Sequence, residues 1–356
     1  MAENLTLEGM VELGYLEESE SWRLQSVYFP SKLGGKPAWL DLYNLPEKII
    51  CQKCNKGCIF LCQVYAPIED KDCCFHRTIF VFFCKNPECC EKNYSGNFTL
   101  FRCQLKRANE FYSFNPPIEL PNLEFDVIKC TLCSVCGNKG TSCCGKCKTT
   151  FYCSKDHQII DWKSNHKAIC SKDKKNGNEI VTGVLLPQFE IVIEDEEISE
   201  DETCRETKTE KERLQEFEHL VQEGKAGTLQ GDDSINDELQ KMAISLEDKY
   251  FSKFTKRVSK MPKQVLRYDR GGKPLWISSD HIPNEDDIPN CEYCGKNRQF
   301  EFQILPQMLN YLDLDNTQKS VDWGVLAIYT CSESCDGGPA YKQEFLWKQD
   351  IVSTAL

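Results

Sequence analysis

The chain has 356 residues, a net charge of −12 and 23 cysteines. A chain of this length can bury two or three ordinary cores without covalent cross-links. The cysteines are therefore not explained by a need for disulfides that stabilise a small fold. The acidic balance disfavours direct nucleic-acid binding through phosphates and favours a basic partner. The sequence has no long apolar run and no basic, apolar start of the kind found in signal peptides, so we expect a soluble intracellular protein without membrane contacts.

The cysteines point to metal. An odd total speaks against a complete set of internal disulfides, and C-x-x-C pairs in a reducing compartment usually ligate an ion. Zn²⁺ is the expected cofactor, because it prefers four sulfur or nitrogen ligands at tetrahedral angles.

Short runs rich in β-branched and aromatic residues predict strands near both ends of the chain. They cover residues 60–65 and 78–83, and then 300–305 and 324–329. One helix is predicted from an apolar stripe, which consists of Leu239, Met242, Leu246, Tyr250 and Phe254. Ser234 and Asp237 offer a capping box for it, and Pro262 ends it. The fold class is therefore α+β and β-dominated, and we expect the helix to dock on the C-terminal part.

The two ends repeat the same series of motifs. Gly-Gly-Lys-Pro-Ala-Trp at residues 34–39 matches Gly-Gly-Lys-Pro-Leu-Trp at 271–276, and each is followed by a C-x-x-C pair, a strand and a second cysteine pair. The expected zinc ligands are Cys51, Cys54, Cys84 and Cys89 in the first half and Cys291, Cys294, Cys331 and Cys335 in the second. The repeat predicts two β-rich zinc-binding halves packed as one unit.

Three alternatives to this interpretation stay open. Cys90 competes with Cys89 for the fourth position in the first half. The pairs can also be buried free cysteines of halves that have lost metal. The Gly-Gly-Lys-Pro-x-Trp motif is interpreted as a structural lead into a strand, since a phosphate-binding loop needs a different glycine spacing.

The strongest motif lies between the halves, where eight soft ligands occur within residues 133–170. Eight ligands imply two ions. The cross-brace assignment gives one zinc Cys133, Cys136, Cys153 and His157, and the other Cys144, Cys147, His166 and Cys170. Sequential pairing is the alternative, and Cys130 and Cys143 are interpreted as bystanders.

An acidic stretch separates this module from the second half, with seven acids in the nine residues 194–202. It is interpreted as a solvated, disordered linker, with docking of a basic partner as the alternative. The predicted organisation is a first half over 1–129, a zinc module over 130–172, the linker over 173–236, and a helix plus second half over 237–356.

Two resemblances follow from these motifs. The central module contains the run Phe151-Tyr152-Cys153-Ser154, and Trp162 precedes His166. These features make the module similar to a MYND-type zinc finger. That family usually has cysteine where this chain has His157. Besides the finger, a second resemblance is carried by residues 34–39, 75–78, 109–113, 266–268, 273–277 and 321–325. With these segments the whole chain resembles the programmed cell death protein 2 family.

The resemblance implies a non-enzymatic protein of cytoplasm and nucleus. It implies a dedicated chaperone that escorts a newly made, basic small-subunit ribosomal protein in ribosome biogenesis, with a role in proliferation and cell death. The MYND resemblance implies a finger that holds proline-rich peptides. The alternative is a MYND-dependent transcriptional co-repressor adaptor or a DNA-linked regulator of apoptosis. For an enzyme we find no cofactor motif, and His76, His219 and His281 are isolated in the sequence.

Overall fold

One large antiparallel sheet organises the chain in a computed structural model that describes residues 11–121, 131–170, 183–196, 249–314 and 321–351. The strands are β1 (Glu12–Glu17), β2 (Lys32–Leu33), β3 (Ile59–Tyr65), β4 (His76–Phe83), β5 (Phe98–Leu105), β6 (Ser142–Cys143), β7 (Phe151–Tyr152), β8 (Phe189–Asp195), β9 (Leu266–Tyr268), β10 (Arg298–Ile304), β11 (Val325–Cys331), β12 (Tyr341–Gln343) and β13 (Phe345–Gln349). All except β6 and β7, which pair with each other, belong to this eleven-stranded sheet. The β-dominated class and the four predicted strands are confirmed.

The described helices are short. The α-helices are α1 (Lys155–Asp161), α2 (Lys167–Ile169) and α3 (Lys249–Lys260), and a π-helical turn over Trp162–His166 joins the first two. The 3-10 helices cover Ser26–Tyr28, Asp72–Cys74, Pro87–Cys89, Glu285–Asp287 and Pro306–Tyr311. No helix in the described parts of the chain is long and apolar enough to cross a membrane.

The sheet confirms the predicted duplication. Five strands in the order β5-β4-β3-β2-β8 belong to one half, and β13-β11-β10-β9-β1 repeat that order in the other. The two arrays meet where β8 pairs antiparallel with β1. Each half therefore borrows its innermost strand from a distant part of the chain, because β8 follows the zinc finger and β1 precedes everything else.

Matching details show that the halves are built alike. The ladder shifts register between Phe60 and Cys62 in one half and between Phe300 and Phe302 in the other. One residue after the first shift, Gln63 accepts a hydrogen bond from the amide of Ala38 at 2.9 Å. Its counterpart Gln303 accepts one from Leu275 at 2.6 Å.

The Gly-Gly-Lys-Pro-x-Trp motif has a structural role, but not as a lead into a strand. It follows β2 and β9, and the residue before its tryptophan pairs with the glutamine just described. Both first glycines have positive φ, 64° for Gly34 and 84° for Gly271. A side chain at Gly34 would meet the backbone of Pro187, so glycine permits both the turn and the close approach.

The sheet nearly closes on itself. β12 pairs with β5 of the first half, and β13 pairs with β11 of the second. Along the chain only Glu344 lies between β12 and β13. The Glu344 amide continues the first ladder by donating to Leu100 O at 3.1 Å. The two ends of the strand order, β12 and β13, are therefore consecutive in the chain, which brings the outer edges of the two halves together.

The inner face of the sheet forms an apolar core shared by both halves. Its buried members include Leu61, Ile79 and Phe83 from the first half, and Phe302 and Trp323 from the second. Each half thus covers the apolar face of the other, as predicted for one packed unit.

Buried ion pairs cross between the halves. Arg77 of β4 binds Glu301 of β10 through both carboxylate oxygens, and neither side chain is exposed. Glu344 accepts from Arg102 at 2.7 Å and from Arg298 at 2.9 Å. These charges are paired and hydrogen-bonded, as charges must be when they leave water.

The prediction of a disordered linker over 173–236 is wrong for the part that contains β8. Ile191 and Ile193 of this strand face the core, and β1 and β2 pair with its two edges. The partner strands supply the hydrogen bonds and the apolar contacts that the local composition lacks. Within the predicted linker, residues 173–182 and 197–236 lie outside the described residues.

The predicted helix is observed over Lys249–Lys260 as α3. Phe254 and Val258 are buried with Trp276 on the outer face of the second half. Tyr250, which the stripe also predicts to be packed, is 44% exposed. The earlier positions of the stripe and its capping box lie outside the described residues.

Candidate metal centres

Four groups of sulfur and nitrogen ligand atoms converge in the structure, each within 4.8 Å. Their members are Cys51, Cys54, Cys84 and Cys89; Cys133, Cys136, Cys153 and His157; Cys144, Cys147, His166 and Cys170; and Cys291, Cys294, Cys331 and Cys335. These are the sixteen residues that the sequence predicts as ligands. The two groups in the finger follow the cross-brace order and not the sequential one.

The distances within the groups fit zinc. Tetrahedral bonds of about 2.3 Å hold two sulfurs about 3.8 Å apart. Cys54 Sγ lies 3.7 Å from Cys84 Sγ, and Cys291 Sγ lies 3.7 Å from Cys335 Sγ. In the finger the Cys144–Cys170 sulfur distance is also 3.7 Å. The chain therefore belongs to the zinc-binding proteins, and the four groups have the ligand types and spacing of closed structural sites.

The four C-x-x-C pairs that belong to the ligand groups are made by the same backbone turn. The residue after the second cysteine has a left-handed conformation, with φ of 56° at Asn55, 75° at Gly137, 56° at Lys148 and 73° at Gly295. Its amide donates to the carbonyl of the first cysteine, at 2.8–2.9 Å in each case. This turn directs both sulfurs to one side, so a pair supplies two corners of a tetrahedron.

Amides of these turns also favour the thiolate form that binds zinc. The backbone amide of Cys147 lowers the pKa of Cys144, and that of Lys296 lowers the pKa of Cys294. In the first site of the finger, hydrogen bonds from the thiols of Cys136 and Cys153 hold the pKa of Cys133 well below its usual range. A hydrogen bond to a thiolate stabilises its charge in each case.

The two histidines of the finger present different nitrogens. His157 Nδ1 lies 3.6 Å from Cys133 Sγ, whereas His166 Nε2 lies 3.5 Å from Cys147 Sγ. Ser154 caps α1 by accepting from the His157 amide at 3.3 Å, which places His157 in the first turn of the helix. His157 thus takes the position at which MYND fingers usually have cysteine.

The structure separates Cys89 from its competitor Cys90. Cys89 lies in the ligand group of the first half. Cys90 instead contacts the second half, where its sulfur accepts from the Asp322 amide at 3.4 Å and lies 3.7 Å from Lys348 Nζ. Of the predicted bystanders, Cys143 is exposed and outside all groups, and Cys130 lies outside the described residues.

The two described histidines outside the finger are packed against aromatic rings. His76 stacks on Phe29 at 4.2 Å and hydrogen-bonds Tyr65 Oη at 3.1 Å. His281 stacks on Trp347 at 4.5 Å. His219 lies outside the described residues.

The finger docks on the first half, which the sequence did not reveal. Trp39 Nε1 donates to Gly137 O at 2.7 Å, and Asn138 donates to Cys58 O at 3.2 Å. Lys139 and Glu47 add an ion pair at 2.6 Å. Within the first half, the one sequence feature related to this docking is Trp39 of the repeated motif. The residues next to Trp39 in the sequence do not indicate that it contacts the finger.

Comparisons with known proteins agree with this architecture. Family models match for the N-terminal domain of programmed cell death protein 2 over residues 10–119, the MYND finger over 133–170, and the C-terminal domain of programmed cell death protein 2 over 248–350. Programmed cell death protein 2 of Mus musculus is 42% identical across 97% of this chain and 98% of its own length. The chain belongs to the programmed cell death protein 2 family.

Two further proteins are also similar to the chain. The Bos taurus protein of the same name is 45% identical over 98% of both chains. A protein of Schizosaccharomyces pombe named probable 20S rRNA accumulation protein 4 is 23% identical over 85% of this chain and 87% of its own. No solved structure matches the chain.

Elemental analysis tests the metal content. We expect four zinc ions per full-length chain, because four complete ligand groups are present. Two ions per chain would show that only the finger binds metal, and would contradict the assignment in both halves.

Proposed function

We propose that this protein is a dedicated chaperone that escorts a newly made, basic small-subunit ribosomal protein, in cytoplasm and nucleus. The observation that carries the proposal is similarity along most of the chain to a protein named for 20S rRNA accumulation. That similarity and the MYND finger, a protein-interaction module, support a ribosome-related role carried out by binding proteins. The link to proliferation and cell death follows from the same proposal, since cell growth depends on ribosome supply.

Charge supports the choice of a basic partner. A free ribosomal protein is strongly basic and binds RNA indiscriminately, and a partner of net charge −12 counteracts this. Complementary charge mainly accelerates encounter, and it is screened over about 8 Å at physiological salt. Specificity must then come from a shaped surface.

The outer face of the second half is the surface that we propose for the client. In the first half the corresponding face is covered by the finger and by residues 40–49. In the second half α3 covers part of this face, and Phe345 and Trp347 remain partly exposed on β13. An acidic turn lies beside them, because Trp347 Nε1 donates to His281 O at 2.9 Å and exposed acids follow at residues 285–287. Aromatic rings flanked by acids suit a basic, partly apolar segment.

A matched pair of tryptophan variants tests which surface holds the client. Trp347 and Trp162 each contact a histidine ring and are each partly exposed, one on the second half and one on the finger. We expect Trp347→Ala to reduce co-purification of newly made small-subunit proteins at least tenfold, since exposed aromatic residues dominate such interfaces. Trp162→Ala should retain the client.

Two further variants complete this test. Deletion of residues 130–172 should also retain the client, whereas Trp276→Ala should lose it by disturbing the fold beneath β13. Loss of the client with Trp162→Ala and with the deletion, but not with Trp347→Ala, would contradict the proposal.

The second candidate is a transcriptional co-repressor adaptor or DNA-linked regulator of apoptosis. The observation in its favour is an exposed apolar pair on the finger, Ile159 at 42% and Trp162 at 36% exposure, three residues apart on one helical face. Such a face can bind a proline-rich peptide. The adaptor predicts that Trp162→Ala loses chromatin-associated partners.

A further inference from the structure

The zinc-binding loop of each half lies against the outermost strand of the other half's five-strand array, which is β5 in the first half and β13 in the second. We define the second-half loop as residues 331–335, which carry two of its ligands. Arg102 of β5 donates to Cys335 O at 3.3 Å, and its Nη2 lies 3.8 Å from Cys335 Sγ. Gln104 of the same strand donates to Ser334 O at 3.1 Å. A strand of the first half thus contacts a zinc ligand of the second.

The first-half loop, residues 84–93, makes the reciprocal contact. Lys348 of β13 donates to Glu91 O at 2.9 Å and contacts Cys90. Asn93 and Asp350 exchange two hydrogen bonds, each from a backbone amide to the other side chain, at 2.5 and 2.8 Å. Here the contacts begin one residue beyond the ligand Cys89.

The two contacts are equivalent in the repeat. β5 and β13 occupy corresponding places in the two strand orders, so Arg102 and Lys348 are counterparts. Both side chains are buried, with 0% and 1% exposure. A zinc bound by four thiolates has a net charge of about −2, so a neighbouring buried cation is favourable there. Groups that contact metal ligands tune the affinity of the site.

We propose that the two outer cysteine sites act as reciprocal clasps between the halves. Ligand binding to zinc holds each loop in the conformation that contacts β5 or β13 of the other half. When the ligands of one site are released, Arg102 or Lys348 loses part of its contacts in a buried position. The closure of the sheet near Glu344 then loosens, although the released ligands belong to the opposite half. The clasp therefore makes the packing of the halves depend on zinc, whatever partner the protein binds.

Hydrogen exchange in the full-length protein tests the cross-half effect. Cys294→Ser removes an exposed ligand of the second half. We expect zinc content to fall from four to three, and amide exchange in β5 of the first half to accelerate at least tenfold. Cys143→Ser, which changes an exposed cysteine outside all four groups, should change neither. Faster exchange confined to residues 291–297 and 331–335 would overturn the proposal.

A variant that keeps every ligand provides the second test, and it decides the matter if Cys294→Ser does not fold. Lys348→Met should weaken zinc in the first-half site severalfold, because Lys348 holds Cys90 and Glu91, the residues directly after the ligand Cys89. The measurement is alkylation of Cys54 and Cys89 during titration with a chelator. Lys32→Met is the matched control, because this lysine is also buried but donates to Lys36 and Gln188. Equal alkylation in Lys348→Met and wild type would overturn the proposal.

Discussion

Replacing one finger ligand, Cys153→Ser, should unfold the whole finger. Cys153 Sγ lies 3.5 Å from Cys136 Sγ and 3.2 Å from His157 Nδ1, at the centre of the first ligand group. Structural zinc in small fingers contributes an apparent 10–16 kcal/mol, so about that scale of free energy couples metal binding to folding. Because the two ligand groups are interleaved along the chain, loss of the first should also weaken the second.

Zinc content and tryptophan fluorescence measure this outcome. Total zinc should fall from four to two, and the emission of Trp39 should shift as its contact with Gly137 is lost. Cys143→Ser is the matched control and should leave both readings unchanged, since that thiol is exposed and lies outside the ligand groups. A Cys153→Ser protein that retains one finger zinc would contradict the coupling of the two sites, and one that retains both would contradict Cys153 as a ligand.

Glu301→Gln should lower the free energy of unfolding by about 3–5 kcal/mol, because it leaves the Arg77 cation buried without its counter-charge. Both side chains are completely buried. Glu301 also accepts hydrogen bonds from Thr330 and, at 3.0 Å, from Tyr268 Oη, so the substitution disturbs a network between the halves. The measurement is the shift in the urea midpoint with zinc present throughout.

The same substitution at an exposed ion pair is the control. Glu119 pairs with Arg23 at 2.7 Å, but the side chains are 62% and 48% exposed, so Glu119→Gln should cost less than about 1 kcal/mol. The double variant Arg77→Met with Glu301→Met should recover much of the loss, because no unpaired charge remains. Equal midpoints for Glu301→Gln and wild type would contradict the role of the buried pair.

Local patterns were enough to predict four strands of the large sheet. The four strands around Gln63, Phe80, Gln303 and Leu326 alternate or concentrate β-branched and aromatic residues over a few positions, and they form where expected. The duplication is visible because two matching tryptophan motifs precede matching cysteine pairs. The C-x-x-C turns are likewise local, since five residues contain the left-handed position and the hydrogen bond that orient both sulfurs.

The central strand β8 was predicted to be part of a disordered linker, because its stability comes from elsewhere in the chain. Residues 189–195 form β8 beside an acidic run, and their composition by itself favours a solvated linker. The strand forms because β1, far earlier in the chain, and β2 accept it between them. The β-propensity of residues 189–195 and their sequence neighbours does not include the stabilisation that comes from pairing with β1 and β2.

The sequence by itself determined the fold class, the repeat, and the cysteines and histidines suited to hold zinc, because each can be recognised from short motifs and from spacings within one half or within the finger. Only the tertiary structure decided that Cys89 and not Cys90 joins its group, that Trp39 holds the finger, and that Arg77 meets Glu301. These contacts join residues 98 and 224 positions apart, or depend on which of two adjacent thiols faces the other half. Such pairings are selected by packing the completed halves together, and packing leaves no periodic signature in the chain.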